Sequence, residues 1–275
     1  MLEEMGIAPI WRLRTTSARL EPADVSDDTA PTQPPERPAA MVPAAEPVVS
    51  QSADIGSEER RQQILQMDWA ALKASVAQCI ACPLHAKRTN TVFGVGDEQA
   101  DWLFVGEGPG AEEDAKGEPF VGQAGRLLDN MLLAIDLVRG ANVYIANVVK
   151  CRPPGNRDPL PEETGACSHW LDDQQAILNP KAIVTLGRYS LARFLPGTPI
   201  GKIHGQGRKV GDVWVVPMYH PAAALHQGSL RATIENDFRR IPQYLEAAKR
   251  EEAAKQPEPV AAAPAAPDVT QGKLF

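Results

Sequence analysis

Four cysteines carry the first chemical signal in this chain. Cys79 and Cys82 stand in C-I-A-C-P, Cys151 opens C-R-P-P-G-N-R, and Cys167 follows sixteen residues later. The first pair is close enough to chelate one centre, while the second pair lies about seventy residues away. Zinc fingers gather their ligands locally, whereas an iron–sulfur cluster takes four thiolates and can draw them from distant segments. The spacing therefore points to a metal site, with a cluster and zinc both open. The start M-L-E-E-M-G-I lacks a basic region followed by an apolar run, and no apolar stretch approaches the ~18 residues of a membrane span. A soluble, thiol-reducing, cytoplasmic setting is expected, in which disulfides are disfavoured.

Three further segments could do chemistry. Gly106-Glu107-Gly108-Pro109-Gly110 has three glycines in five residues, which lets backbone N–H groups approach a ligand and also suits a plain turn. It is neither a Walker loop nor a dinucleotide fingerprint, because G-K-[ST] is missing, Pro109 breaks the spacing and no helix is expected directly after it. Asn147 ends the run N-V-Y-I-A-N and offers a donor and an acceptor, enough to read a base edge, although such an Asn also forms turns. His220 lies in Y-H-P-A, where the following Pro predicts an extended loop that is either structural or functional.

Elements must bring these segments together. W-L-F-V-G (102–106), N-V-Y-I-A-N-V-V-K (142–150), K-A-I-V-T-L-G (181–187) and V-W-V-V-P-M (213–218) read as strands. Helices are predicted over 58–78, 124–135 and 161–178, shortly after 187, and over 230–250; Pro161 suits a first helical turn. The first of these rests on Ile64, Leu65, Met67, Leu72 and Val76 at helical spacing. Alternating strands and helices predict a three-layer α/β/α sandwich around a central, mainly parallel four-stranded sheet. Sites in such sheets lie at the carboxyl ends of the strands, which places Gly106, Asn147 and His220 on one edge.

Composition assigns the remainder. Residues 1–57 and 251–275 are rich in Pro and Ala without apolar periodicity, so both are expected to be disordered tails around a domain over 58–250. The formal net charge of −7 is mostly theirs: residues 1–60 hold 5 basic and 11 acidic side chains, and residues 61–250 hold 21 and 20. A near-neutral core can still offer a basic face to phosphates, so composition neither supports nor excludes nucleic acid.

Taken together, G-E-G-P-G-x-x-E-D, G-x-P-F-V-G-x-A-G, N-V-V-K-C-R-P-P-G-N-R and H-P-A-A-A-L, with the four cysteines in order, resemble the uracil-DNA glycosylase superfamily. The resemblance spans residues 76–245 and is strongest to its family 4, the iron–sulfur enzymes of bacteria and archaea. It implies a monofunctional DNA glycosylase that flips uracil from single- or double-stranded DNA and leaves an abasic site for base excision repair. It also implies a 4Fe–4S cluster on Cys79, Cys82, Cys151 and Cys167, and a monomeric, nucleoid-associated bacterial protein.

By the same resemblance Phe120 stacks on the extruded base, Asn147 reads its edge and His220 donates to O2. Glu107 and Gly108 line the sugar side, and Gly106 also belongs to the substrate-binding set. Glu107 is expected to position water and Glu113 to exclude the thymine methyl group, with Glu112 and Asp114 solvated or capping. Leu225, His226 and Gln227 enter the duplex, while Arg152 and Arg157, between two cysteines, meet phosphates or solvent. The ending Gln271-Gly272-Lys273-Leu274-Phe275 resembles the Q-x-x-L-F peptide that docks on the replication sliding clamp. Trp11 sits in a short apolar patch with no assigned role. The alternatives are a superfamily member that binds uracil-DNA without turnover or covalently, and an iron–sulfur scaffold attached to a replication polymerase.

Overall fold

A computed structural model of the chain describes residues 62–64 and 66–255. The chain divides into two units, Met1–Val49 and Ser50–Phe275, and every described residue belongs to the second. The expected N-terminal tail, Trp11, and the Gln271, Leu274 and Phe275 motif lie outside the described residues.

The four apolar runs form one parallel set: β2 (Trp102–Gly106), β3 (Val143–Asn147), β4 (Ala182–Leu186) and β6 (Val213–Met218). The described sheet has six strands rather than four. β1 (Val95–Gly96) and β5 (Arg208–Val210) pair antiparallel at the two edges, giving the order β1-β3-β2-β4-β6-β5. These edge strands are two and three residues long, too short to show a period of two.

The central strands are buried on both faces, as parallel strands covered by helices must be. Leu103, Val105, Tyr144, Ala146 and Ile183 face α1 (Trp69–Ala77) and α4 (Pro161–Leu178), packing with Leu72, Val76, Trp170 and Leu171. Trp102, Phe104, Val143, Ile145, Val184 and Val216 point the other way. They meet Leu128, Met131 and Leu132 of α3 (Gln123–Leu133) and Ile234 and Phe238 of α8 (Arg231–Phe238). The result is the expected three-layer α/β/α arrangement.

Several boundaries differ from the sequence reading. The helix expected over 58–78 is interrupted at Asp68, whose extended backbone (φ −76°, ψ 173°) and carboxylate, accepting from Ala71 N at 2.8 Å, cap α1 instead. A helix does start directly after the glycine-rich turn: α2 (Ala111–Lys116), with Glu112, Glu113 and Asp114 in its first turn. The short helix after Gly187 is α5 (Arg188–Phe194), followed by α6 (Ile200–Ile203). His220 is extended (φ −62°, ψ 137°), yet it opens α7 (Pro221–His226) with Pro221 in the first turn. The final helix expected over 230–250 is split into α8 and α9 (Pro242–Lys255), because Pro242 cannot continue a helix, and α9 runs five residues past the expected domain end.

Candidate active site

The carboxyl ends of β2 and β3 set the site. Gly106 is registered with Asn147, and the pairing continues beyond both strands: Val148 N donates to Gly106 O and Val149 N to Glu107 O, each at 3.0 Å. This fixes Glu107 at the mouth of a cavity of ≈ 440 Å³, within the usual range of small-molecule sites (about 300–1,000 Å³). The cavity is lined by Glu107, Gly108, Pro109, Gly110, Glu113, Phe120, Ala124, Asn147, Pro153, Asn156, Arg157, His220, Ala222 and His226. Three distant motifs thus meet at one edge of the sheet.

Asn147 is buried, and its Oδ1 has no hydrogen-bond partner among the described residues. A buried amide oxygen left unpaired costs about 1–3 kcal/mol, so it is a standing acceptor for a ligand N–H. A Cβ on Gly106 would lie 2.3 Å from that oxygen and 2.6 Å from the Phe120 ring. Only glycine leaves this contact possible.

Phe120 is buried and holds a left-handed backbone (φ 54°), which costs a non-glycine residue about 1–2 kcal/mol. Its ring is 5.5 Å from that of His220, with the planes 24° apart. The His220 Nδ1 accepts from Ala222 N at 3.1 Å, so the neutral ring carries its proton on Nε2 and is a donor there. Burial pulls the His220 pKa down to about 4, against an opposing pull from Glu113. The imidazole is therefore neutral at physiological pH.

The two glutamates behave differently. Glu107 is pushed up to about 7, first by burial and then by the Asp158 carboxylate, with the Arg188 guanidinium opposing. Glu113 has both carboxylate oxygens engaged: Oε2 accepts from Gly110 N at 3.1 Å, and Oε1 from Val121 N at 3.0 Å and Gly122 N at 2.9 Å. It borders the cavity as a fixed wall. Asp114 is buried, accepting from Thr89 N and Asn90 N, so it is a structural carboxylate and not a solvated one.

The expected DNA-contacting residues divide. Leu225 is exposed on α7, and His226 borders the cavity, whereas Gln227 follows as the C-cap. Arg157 also borders the cavity, but Nη1 and Nη2 bind the buried Glu163 carboxylate at 2.8 and 2.6 Å, so this guanidinium is committed within the fold. Arg152 donates to Asn156 Oδ1 at 2.7 Å. Sequence reasoning missed Arg188, which follows β4 and bonds Asp158 near Glu107. Its place just beyond a parallel strand end was the available signal.

All four cysteines belong to the same side of the sheet. Cys151 and Cys167 are buried in the apolar core against which Cys79 and Cys82 pack. Arg88 Nη1 donates to Cys151 Sγ at 3.2 Å and to Cys79 O at 2.7 Å, and Lys150 N donates to Cys167 Sγ at 3.3 Å. Burial pushes Cys167 up to about 12 and raises Cys151, so metal binding here must displace protons. No group of three or more His, Cys, Asp or Glu side chains poised to hold a single metal ion occurs among the described residues. The donor set itself, all sulfur with N–H groups aimed at two of the sulfurs, fits a thiolate-ligated iron–sulfur group.

The family described as "Uracil DNA glycosylase superfamily" matches residues 93–246, more than half of the chain. A type-4 uracil-DNA glycosylase of Archaeoglobus fulgidus is 47% identical over 176 residues, covering 60% of this chain and 87% of that protein. Type-4 uracil-DNA glycosylases of Sulfurisphaera tokodaii and Thermotoga maritima are each 44% identical, over 65% and 62% of this chain and 86% and 91% of those proteins. By the family match over residues 93–246 and by these identities, the chain belongs to the uracil-DNA glycosylase superfamily.

Proposed function

We propose that this chain is a monofunctional uracil-DNA glycosylase of the type-4 kind, acting on uracil in DNA. The observation that carries the reading is the buried, partnerless Oδ1 of Asn147 on the cavity wall, an acceptor suited to uracil N3–H. A base inside the duplex must be flipped from the stack, at a cost of a few kcal/mol. Stacking on Phe120, worth about 1–3 kcal/mol per base, and the Asn147 contact offset part of it. As the C1′–N1 bond breaks, its electron pair leaves with uracil, and the His220 Nε2–H donates to the developing charge on O2. A water oxygen then bonds C1′ and gives its proton to Glu107. Glu113, held by three backbone amides, serves as the wall against a thymine methyl group.

Cys79, Cys82, Cys151 and Cys167 would hold a 4Fe–4S cluster, which when bound supplies a rigid cross-link between distant segments and no redox step in base removal. Leu225, His226 and Gln227, at the exposed end of α7, would enter the duplex. Arg152 would meet phosphate and Arg157 would shape the loop. The last residues, Gln271, Leu274 and Phe275, would dock on a sliding clamp from a monomeric, nucleoid-associated protein. Among the described residues no helix is long and apolar enough to cross a membrane.

Uracil release from single- and double-stranded oligonucleotides tests the function. Wild type is expected to release free base, and Asn147→Ala to lose roughly 10–100-fold in kcat/KM, the cost of one buried hydrogen bond. Absence of release by wild type would leave a binder or a polymerase-attached scaffold as the reading. The acting form of Glu107 is its carboxylate, so activity is expected to rise with pH through about 7 and then level. His220, neutral above about 4, adds no limb in that range. Glu107→Gln should remove the limb and lower kcat by about 10²-fold or more; a retained limb would assign it to another group. Purified protein should carry ~4 iron atoms per chain, lost in Cys151→Ser, and full iron in that variant would contradict the ligand assignment.

A further inference from the structure

The loop that presents Phe120 is strapped from both sides. Its amides at Val121 and Gly122 go to Glu113, as described above. Its carbonyls go to a residue that no motif singled out. Arg139 Nη1 donates to Pro119 O and Nη2 to Phe120 O, both at 2.7 Å. Asp129 Oδ1 accepts from Arg139 Nε at 3.0 Å and Nη2 at 2.9 Å, which fixes the plane of the guanidinium.

This arrangement uses properties that only arginine combines. A planar fork can serve two successive carbonyls at once while a third edge is held by a carboxylate. Two successive carbonyls turn toward one donor here because Phe120 takes the left-handed conformation (φ 54°). The chain passes so close to α3 that a Cβ on Gly125 would lie 1.8 Å from Phe120 O. Without the Arg139 fork, the loop has reason to relax to an ordinary φ, and that rotation would swing the ring away from His220 and the cavity.

We infer that Arg139, locked by Asp129, is the positioning residue that holds the Phe120 ring in register for base stacking. The inference rests on the uracil-excision reading, since it assigns a role in that same pocket. The strap acts on the flipped base and not on the DNA backbone: Arg139 touches the loop through its carbonyls, and neither it nor Asp129 lines the cavity.

The test compares wild type, Arg139→Gln, Phe120→Ala and the double variant. The expected result for Arg139→Gln is a rise of about 10-fold in the inhibition constant for free uracil, within the range that base–aromatic stacking carries. Binding of an oligonucleotide with a stable abasic analogue, which has no base to stack, should stay within about twofold of wild type. In the Phe120→Ala background, Arg139→Gln should add no more than about a further twofold, because the two residues act as one unit. Arg139→Lys, which keeps the charge and one donor at a time, should fall between wild type and Arg139→Gln. It carries the same comparison if Arg139→Gln does not fold. Additive losses in the double variant, or equal weakening of uracil and abasic-DNA binding, would overturn the assignment and leave Arg139 as a general scaffold residue. Failure of wild type to release uracil overturns the functional reading itself and is recognised separately from either result.

Discussion

Gly106 lies opposite Asn147 in the parallel β2–β3 pairing, and the space where its side chain would stand is filled by the Asn147 amide oxygen and the Phe120 ring. Everything specific about the pocket depends on that close approach. The strand register puts the amide at the carboxyl edge of the sheet, and the missing Cβ lets the aromatic ring reach it. A one-residue slip would send every β3 side chain to the opposite face and remove Asn147 from the cavity. The apolar faces of β2 and β3, each buried under helices, make such a slip costly.

Around this contact the fold commits polar groups in unusual number. Glu113 takes three backbone amides, Arg139 takes two backbone carbonyls, and Lys150, wholly buried, donates from Nζ to Asn147 O at 2.9 Å and Gln174 Oε1 at 2.5 Å. Buried polar groups are normally paired, so the Asn147 Oδ1, with no partner among the described residues, stands out against these satisfied neighbours. Lys150 also joins the two halves of the molecule's chemistry. Its backbone N–H points at Cys167 Sγ while its side chain holds the Asn147 carbonyl. The cysteine-bearing segments therefore brace the strand end that carries Asn147.

The sequence was most legible where burial is two-sided. Short continuous apolar runs such as Trp102–Gly106 and Ala182–Leu186, rich in β-branched and aromatic residues, suit strands covered on both faces, and their bounds agree with the expected ones within a few residues. Short elements were lost. α2 went unrecognised although its three first-turn carboxylates are a helix-start signal, and α7 although Pro221 at its first turn is another. Asp68 and Pro242 are both helix-boundary residues, but the apolar spacing over 58–78 runs across the first, and the helix expected over 230–250 ignores the second. The positions of Glu107, Asn147, Phe120 and His220 on one cavity followed from strand-end logic and motif resemblance. Arg139, Arg88 and Lys150 could not be found that way, since their partners lie across loops that only the folded chain brings together. Arg157, expected from its place between two cysteines to meet phosphates or solvent, is paired with the nearby Glu163, a contact that the sequence did not suggest.

The Gly106 gap admits the Asn147 oxygen and the Phe120 ring together, and the proposed reading of uracil depends on it. Single-turnover uracil release by wild type and Gly106→Ala, from the same oligonucleotide, tests it most directly. A methyl group at 106 must displace one of the two buried groups, so release is expected to fall by roughly 10²-fold, the scale of losing one or two pocket contacts, while overpacking of about 1–3 kcal/mol lowers the melting temperature by several degrees and leaves the protein folded. Equal single-turnover rates for the two proteins would contradict it.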